Sequence, residues 1–252
     1  MKFTHILKIA EPCPITSLDN ATISELQRAL AILAYPVGDI DGLIGPKTKN
    51  AWFEFKTDVF KGNDLFIAAG SAKTLVDKVE PILSSNTIDY SKDPETALIK
   101  TCAIQGLTQR AQIAYVLATV KWETAQTFKP VREAFWETED WRKTHFKYYP
   151  YYGRGYVQLT WETNYRMYSN ILGKDLVKSP DVALAADIAG FILVHGFKTG
   201  TFTGRKLDDY INEQKVDYIN ARRCINGLDK AETIAQLARE FYQQDSLFNK
   251  EC

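Results

Sequence analysis

Three histidines in 252 residues, His5, His145 and His195, are too few and too scattered for most zinc hydrolases. Such enzymes cluster histidine with cysteine or carboxylate ligands, and no HExxH pattern occurs. Net charge is also missing, since 31 basic residues balance 31 acidic ones. That balance excludes an electrostatic nucleic-acid binder, which carries a basic excess, and it offers no basic tail for an anionic membrane. The four cysteines, Cys13, Cys102, Cys224 and Cys252, lack CxxC spacing. A chain of this size builds a core without disulfides, so free thiols in a reducing compartment are expected, although Cys252 could pair opportunistically. Cys102 and Cys224 lie in apolar, helix-like contexts, which suits inert buried thiols better than a nucleophile activated by histidine. No run of eighteen apolar residues predicts a membrane span. The first segment is interrupted by His5 and Lys8, too soon for a secretory core. Low-complexity tracts and internal repeats are absent too.

What is present is helical periodicity and a large aromatic complement. Leu26, Leu30 and Leu33 share one face of a helix starting near Thr22. Asp39-Ile-Asp-Gly-Leu-Ile-Gly-Pro-Lys-Thr48 then reads as a turn at Asp41-Gly42 and a break at Gly45. Pro46 suits the first turn of the next helix, whose apolar face is Thr48, Ala51, Trp52 and Phe55. Residues 81–96 are polar and turn-rich, which places a junction there and predicts domains at 1–80 and 97–252. In the second part, Ile113, Val116, Leu117 and Val120 form a stripe ending before Glu123. Ser179-Pro180-Asp181 predicts the start of a helix that is apolar nearly all round to Val194, hence buried. Ile234, Leu237 and Phe241 mark a final amphipathic helix, and Tyr148 to Leu159 suggests a short hairpin. The expected fold is mainly α: a small three-helix domain followed by a larger lysozyme-like helical domain with a short β-hairpin.

Two glutamates stand out. Glu123 sits where an apolar helix ends, beside Trp122 and near Phe128. Apolar surroundings would raise its pKa, as a general acid requires. Glu133 follows Pro130, so the chain can turn back and set it across a cleft. Sugar-cleaving enzymes use such a pair, about 6.5–9.5 Å apart where the product is inverted and about 5 Å apart where it is retained. The plainer alternative is a helix-end glutamate in water and an acidic stretch, since Glu137, Glu139 and Asp140 follow.

Two resemblances bear on this choice. Leu26-Gln27, Asp41-Gly42-x-x-Gly45-Pro46-x-Thr48 and Ala51-x-x-x-Phe55 resemble the three-helix peptidoglycan-binding domain of many wall hydrolases, over residues 20–80. Lys56 stands where that domain commonly has glutamine. Trp122-Glu123-Thr124, Pro130-x-x-Glu133, Tyr152-Gly-Arg-Gly-Tyr-Val-Gln-Leu-Thr160, Asn164-Tyr165 and Ile225-Asn226-Gly227 resemble the family 19 glycoside hydrolases, and their phage endolysin branch more than the plant chitinases. That likeness runs from about residue 97 to 245. It departs at Trp122, where the family has histidine, and at Ala125-Gln126, where it has Gly-Gly.

The resemblance implies Glu123 as general acid, Glu133 as the base that activates water, and Thr160 as a holder of that water. It implies that Tyr156, Gln158, Asn164 and Asn226 line sugar subsites and that Arg154 braces the cleft by pairing with a carboxylate. Thr160 could also cap the helix starting at Trp161. The implied activity is hydrolysis of β-1,4 bonds in bacterial peptidoglycan, muramidase-type, with no metal and no other cofactor. The implied protein is a monomer with no membrane insertion, held in the host cytoplasm until a holin opens the way to the wall of a Gram-negative host. An endochitinase-like glycosidase and a non-catalytic wall-binding protein are the competing expectations.

Overall fold

The computed structural model describes residues 2–62, 64–84 and 87–249. Cys252 lies outside the described residues. Two compact units emerge, Met1–Ser84 with Met167–Lys174, and Ser85–Arg166 with Asp175–Cys252. The architecture is mainly α, as expected, with three two-stranded ladders among the described residues.

The first unit is built on α1 (Asn20–Ile32), α2 (Pro46–Phe60) and α3 (Ala69–Leu83). Asp19 caps α1 by accepting from the Thr22 amide at 2.8 Å, and Pro46 opens α2, where its missing N–H costs nothing. Leu26, Leu30, Trp52, Phe55, Leu75 and Val79 close the core. Strand β1 (Cys13–Pro14) pairs antiparallel with β2 (Phe66–Ile67). Helix α3 runs through Pro81 to Leu83, three residues into the stretch expected to be a linker.

Polar side chains tie this unit's irregular parts. Glu25 accepts from the amides of Thr4, His5 and Ile6 at 2.9–3.0 Å. Gln27, only 1% exposed, donates to Asp41, Leu43 O and Thr48 and accepts from the amides of Asp41 and Gly42. Gly42 has φ +75°, and a Cβ there would sit 2.8 Å from the Asn20 carbonyl oxygen, so the turn needs glycine twice over.

In the second unit, α4 (Pro94–Ile104) is capped by Asp93. Helix α5 (Arg110–Glu123) is buried from Ala111 to Val120, so it forms the spine of the core. Strand β3 (Val131–Arg132), α6 (Glu139–His145), β4 (Arg154–Gly155) and α7 (Glu162–Leu172), whose residues from Met167 onward belong to the first unit, follow. Next come α8 (Ala186–Thr199), the hairpin of β5 (Ile211–Asn212) and β6 (Lys215–Val216), α9 (Tyr218–Ala221), α10 (Ala231–Tyr242) and α11 (Asp245–Phe248). Helix α10 buries Ile234, Ala235, Ala238 and Phe241, and it packs along α5. Helix α8 is buried from Ile188 to Phe197.

Two local expectations change. The hairpin expected within Tyr148–Leu159 is reduced to one bridge, Arg154 with Leu159, and β4 pairs upstream with β3 instead. The Ser179-Pro180-Asp181 start is a 3₁₀ turn over Pro180–Leu184, with no cap from the Ser179 side chain. Asp181 pairs with two arginines there rather than serving a helix end.

Candidate active site

Glu123 is the last residue of α5, and the apolar wall expected around it is not what its carboxylate meets. Trp122 is 37% exposed, and Phe128 packs edge-on against Phe241. The Glu123 carboxylate accepts instead from Arg222 Nη1 at 2.6 Å. That arginine is 3% exposed while Glu123 keeps 19% exposure, so solvent reaches the carboxylate and not the guanidinium. Arg222 Nε also donates to Asp229 O, and the Arg222 carbonyl accepts from the Asn226 amide at 3.0 Å. An arginine this deeply buried needs a carboxylate partner, because an unpaired internal charge is costly.

The loop after α5 is held by Thr124. Its hydroxyl donates to Val120 O and accepts from the Phe128 amide. Ala125 (φ +48°) and Gln126 (φ +68°), which stand where the resembled family has Gly-Gly, both adopt the left-handed conformation that glycine favours.

Glu133 directly follows β3. Its amide donates to Gly153 O at 2.7 Å, which extends the β3–β4 ladder by one bond. Its carboxylate accepts from Tyr148 Oη and from the Gly153 amide, both at 2.8 Å. Burial, then the hydrogen bond and charge of Glu133, push the Tyr148 phenol up to about 12, so this donor stays protonated at neutral pH. Gly153 is required by space: a Cβ would stand 2.7 Å from Gln158 Oε1 and 3.1 Å from Glu133 Oε2. From below, Arg142 donates to Glu133 O, Ala134 O and Glu139, holding the left-handed turn at Ala134 (φ +47°).

The remaining expected residues separate into three groups. Gln158, Thr160 and Asn164 join the Glu133 side: Gln158 Nε2 donates to Val131 O, Thr160 Oγ1 to Gln158 O, and Asn164 Nδ2 to Thr160 O. Helix α7 begins at Glu162, so Thr160 lies one residue too early to cap it. Arg154 is a brace, 4% exposed, bonded to Asp181, Pro150 O, Tyr152 O and Tyr165 and stacked 3.7 Å over the Tyr152 ring. Burial pushes Asp181 up, and hydrogen bonds and charge from Arg132 and Arg154 outweigh it, leaving that carboxyl below its usual range. Tyr156 is corrected. Expected to line a sugar subsite, it is fully buried, because α8 and the β4 turn close over it.

Asn226 is exposed beyond Arg222. Two clusters result, Glu123–Arg222–Asn226 and Glu133–Tyr148–Gly153–Gln158–Thr160–Asn164, with no hydrogen bond joining them among the described residues. Of the nine non-glycine residues with positive φ described, six (Ala125, Gln126, Phe128, Ala134, Gln158 and Trp161) lie in the segment that carries these clusters. Left-handed conformations cost energy and gather where function constrains the backbone.

Arg222, Arg142 and Asp181 were not singled out as site residues from sequence. Arg222 had a usable signal: a charged residue in a short run bounded by buried Ala221 and Cys224 must find a partner. The thiols at Cys102 and Cys224 are buried, and burial pushes each up to about 12.

No protein-family model matches the chain, and no solved structure matches it. Among curated proteins, 42 residues are 48% identical to chitinase 8 of Oryza sativa subsp. japonica, and 42 residues are 45% identical to chitinase 11 of the same plant. Each match covers 17% of this chain and 16% of the relative. The likeness is therefore to a segment of a chitinase, and it points to a chitinase-like glycoside hydrolase.

Proposed function

We propose that the second unit hydrolyses β-1,4 bonds in the glycan strands of bacterial peptidoglycan, as a muramidase-type endolysin. The observation that carries this reading is the separate anchoring of the two carboxylates, Glu123 on Arg222 and Glu133 on Tyr148 and the Gly153 amide. Glycoside hydrolysis needs one carboxyl to give a proton and another to direct water.

In this mechanism Glu133 takes a proton from water as the water attacks the anomeric carbon, with inversion. The Thr160 hydroxyl donates to Gln158 O, and its free lone pairs can accept from that water. Glu123 gives its proton to the departing glycosidic oxygen. Between turnovers Glu123 regains its proton from solvent, which its partial exposure admits. The transition state has oxocarbenium character, which the ionised Glu133 stabilises electrostatically. The described residues contain no group of three or more His, Cys, Asp or Glu arranged to hold a metal, and no step in this mechanism calls for one.

The first unit is proposed to hold the enzyme on peptidoglycan, and a holin is proposed to give access to the wall. Digestion of purified peptidoglycan, followed by mass spectrometry before and after borohydride reduction, tests the reading. A new reducing MurNAc end is expected. A new GlcNAc end makes it a glucosaminidase, and cleavage confined to the stem peptide overturns it. Chitin is the second substrate to try, because the matched relatives are chitinases.

A further inference from the structure

A cleft of about 470 Å³ opens between β3 and α6, lined by Arg132, Phe135, Glu137, Glu139 and Arg142. Its volume falls within the range of small-ligand pockets, about 300–1,000 Å³. None of these residues carries a role in the reaction above except through Glu133, which lies between Arg132 and Phe135 in the chain. Phe135 is 58% exposed and Trp136 is 72% exposed, packed edge to face with ring centroids 5.1 Å apart. Neither ring is needed for the core, and a pair of large exposed aromatics side by side marks a contact surface.

The lining says what kind of molecule fits. Two guanidinium groups face two carboxylates, so the cleft has no net charge to select an anion or a cation. Arg132 is paired with Asp181, and Arg142 with Glu139, whose carboxylate also accepts from Tyr152 Oη. Glu137 is half-buried, and no side chain among the described residues pairs with its carboxylate. The cleft therefore combines one apolar ring, Phe135, backed edge to face by Trp136, with an open acceptor and fixed donors. That combination matches a neutral sugar ring, which has an apolar C–H face and a rim of hydroxyls. A lipid or an apolar peptide would leave the charged lining unsatisfied.

We propose that this cleft is a sugar subsite beside Glu133, with Phe135 at its wall, the exposed Trp136 next to it as the stacking ring at its rim, and Glu137 accepting from a sugar hydroxyl. The assignment rests on the glycan-hydrolase reading for its occupant and deepens it by naming where the strand runs past the base. It also makes Trp136 a specificity residue that touches substrate without touching the reacting atoms.

The test is isothermal titration of the full chain carrying Glu123→Gln with N-acetylglucosamine hexamer and with solubilised peptidoglycan strands, with and without Trp136→Ala, Trp136→Phe and Glu137→Gln. Steady-state kinetics of the same three substitutions in the otherwise unaltered chain accompany it. Aromatic contacts of this kind imply weakening of roughly five- to tenfold for Trp136→Ala, with most binding restored in Trp136→Phe. KM should rise by a similar factor while kcat changes less than twofold. Binding and KM unaltered in Trp136→Ala and Glu137→Gln, in an enzyme that cleaves either glycan, overturn the subsite and leave the hydrolase reading standing. Binding that depends on Trp136 in a chain that cleaves neither glycan supports the subsite and removes the hydrolase reading. Absence of both binding and cleavage overturns both.

Discussion

The turn at Asp41–Thr48 and the segment from Ala125 to Trp161 are both rich in polar groups at loop positions, yet they spend them differently. In the first, Gln27 and Asp41 use their hydrogen-bonding atoms on neighbouring amides, a carbonyl and Thr48, and the one strained φ falls on Gly42. In the second, left-handed φ values fall on alanine, glutamine, phenylalanine and tryptophan. Its Glu133 carboxylate belongs to a half-buried residue, and Phe135, Trp136 and Trp161 stand in solvent. A turn whose polar atoms are consumed internally serves the fold. A segment that holds strain and leaves polar and aromatic groups facing outward has been shaped for something it contacts. Lys56 belongs with the first kind, since its amine is engaged by Asp64 and Phe66 O and lies over Trp52 and Phe60.

The comparison breaks most visibly at the carboxylates. Glu123→Gln and Glu133→Gln are each expected to lower the rate of glycan cleavage by on the order of 10²–10⁴-fold, with the helical circular-dichroism signal retained. Near-unaltered release of reducing ends by either variant would sink the acid–base assignment. Gln27→Ala should do the reverse. It strips partners from two amides, a carbonyl, Asp41 and Thr48, so the first unit should lose about 2–4 kcal/mol of stability. Turnover of a soluble glycan fragment should be unchanged at a temperature where the protein remains folded. Urea denaturation monitored by tryptophan fluorescence checks the first, and initial rates check the second.

Asp181→Asn probes the brace under Arg154. A carboxyl whose folded pKa is depressed contributes stability above its unfolded pKa and loses it as pH falls through the folded value. Asp181 is 57% exposed, so solvent screens the pair and the wild type should exceed the variant by about 1 kcal/mol at neutral pH. The gap should start to narrow as pH falls past the ordinary aspartate value of 3.8 and close only below the lower folded value, where both states bind the proton. Thermal melts at pH 7 and near pH 2.5 measure it, and a gap undiminished in acid contradicts the pairing as its source. The smallest effect is expected at Gln126→Gly. Removing a left-handed side chain gains about 1–2 kcal/mol, and the extra freedom of glycine in the unfolded chain costs about 0.5–1, leaving a net stabilisation of about 0–1.5 kcal/mol. A destabilised variant would show that the glutamine side chain contributes more than its strained backbone costs.

Helix α1, the start of α2 at Pro46 and the end of α5 at Glu123 were legible because each depends on local periodicity and on cap or proline chemistry. The candidate pair Glu123 and Glu133 was legible from the same local features together with the resemblance. The brace on Arg154 was expected in kind, though not its partner. Burial of Tyr156 was not legible, because alternation along a two-residue strand says nothing about which face α8 will cover. The failed hairpin has a similar cause, since the partner of β4 lies upstream of a helix rather than across a turn.

Residue order alone thus determined the helical class, the turn at Asp41-Gly42 and the two glutamates worth testing, because hydrophobic period and turn chemistry act over a few residues. Only the tertiary structure decided that Glu123 faces Arg222, 99 positions away, and that Asp181 serves Arg154 rather than a helix end. Such pairs arise where separate elements pack, and an internal charge takes whichever partner that packing leaves within reach.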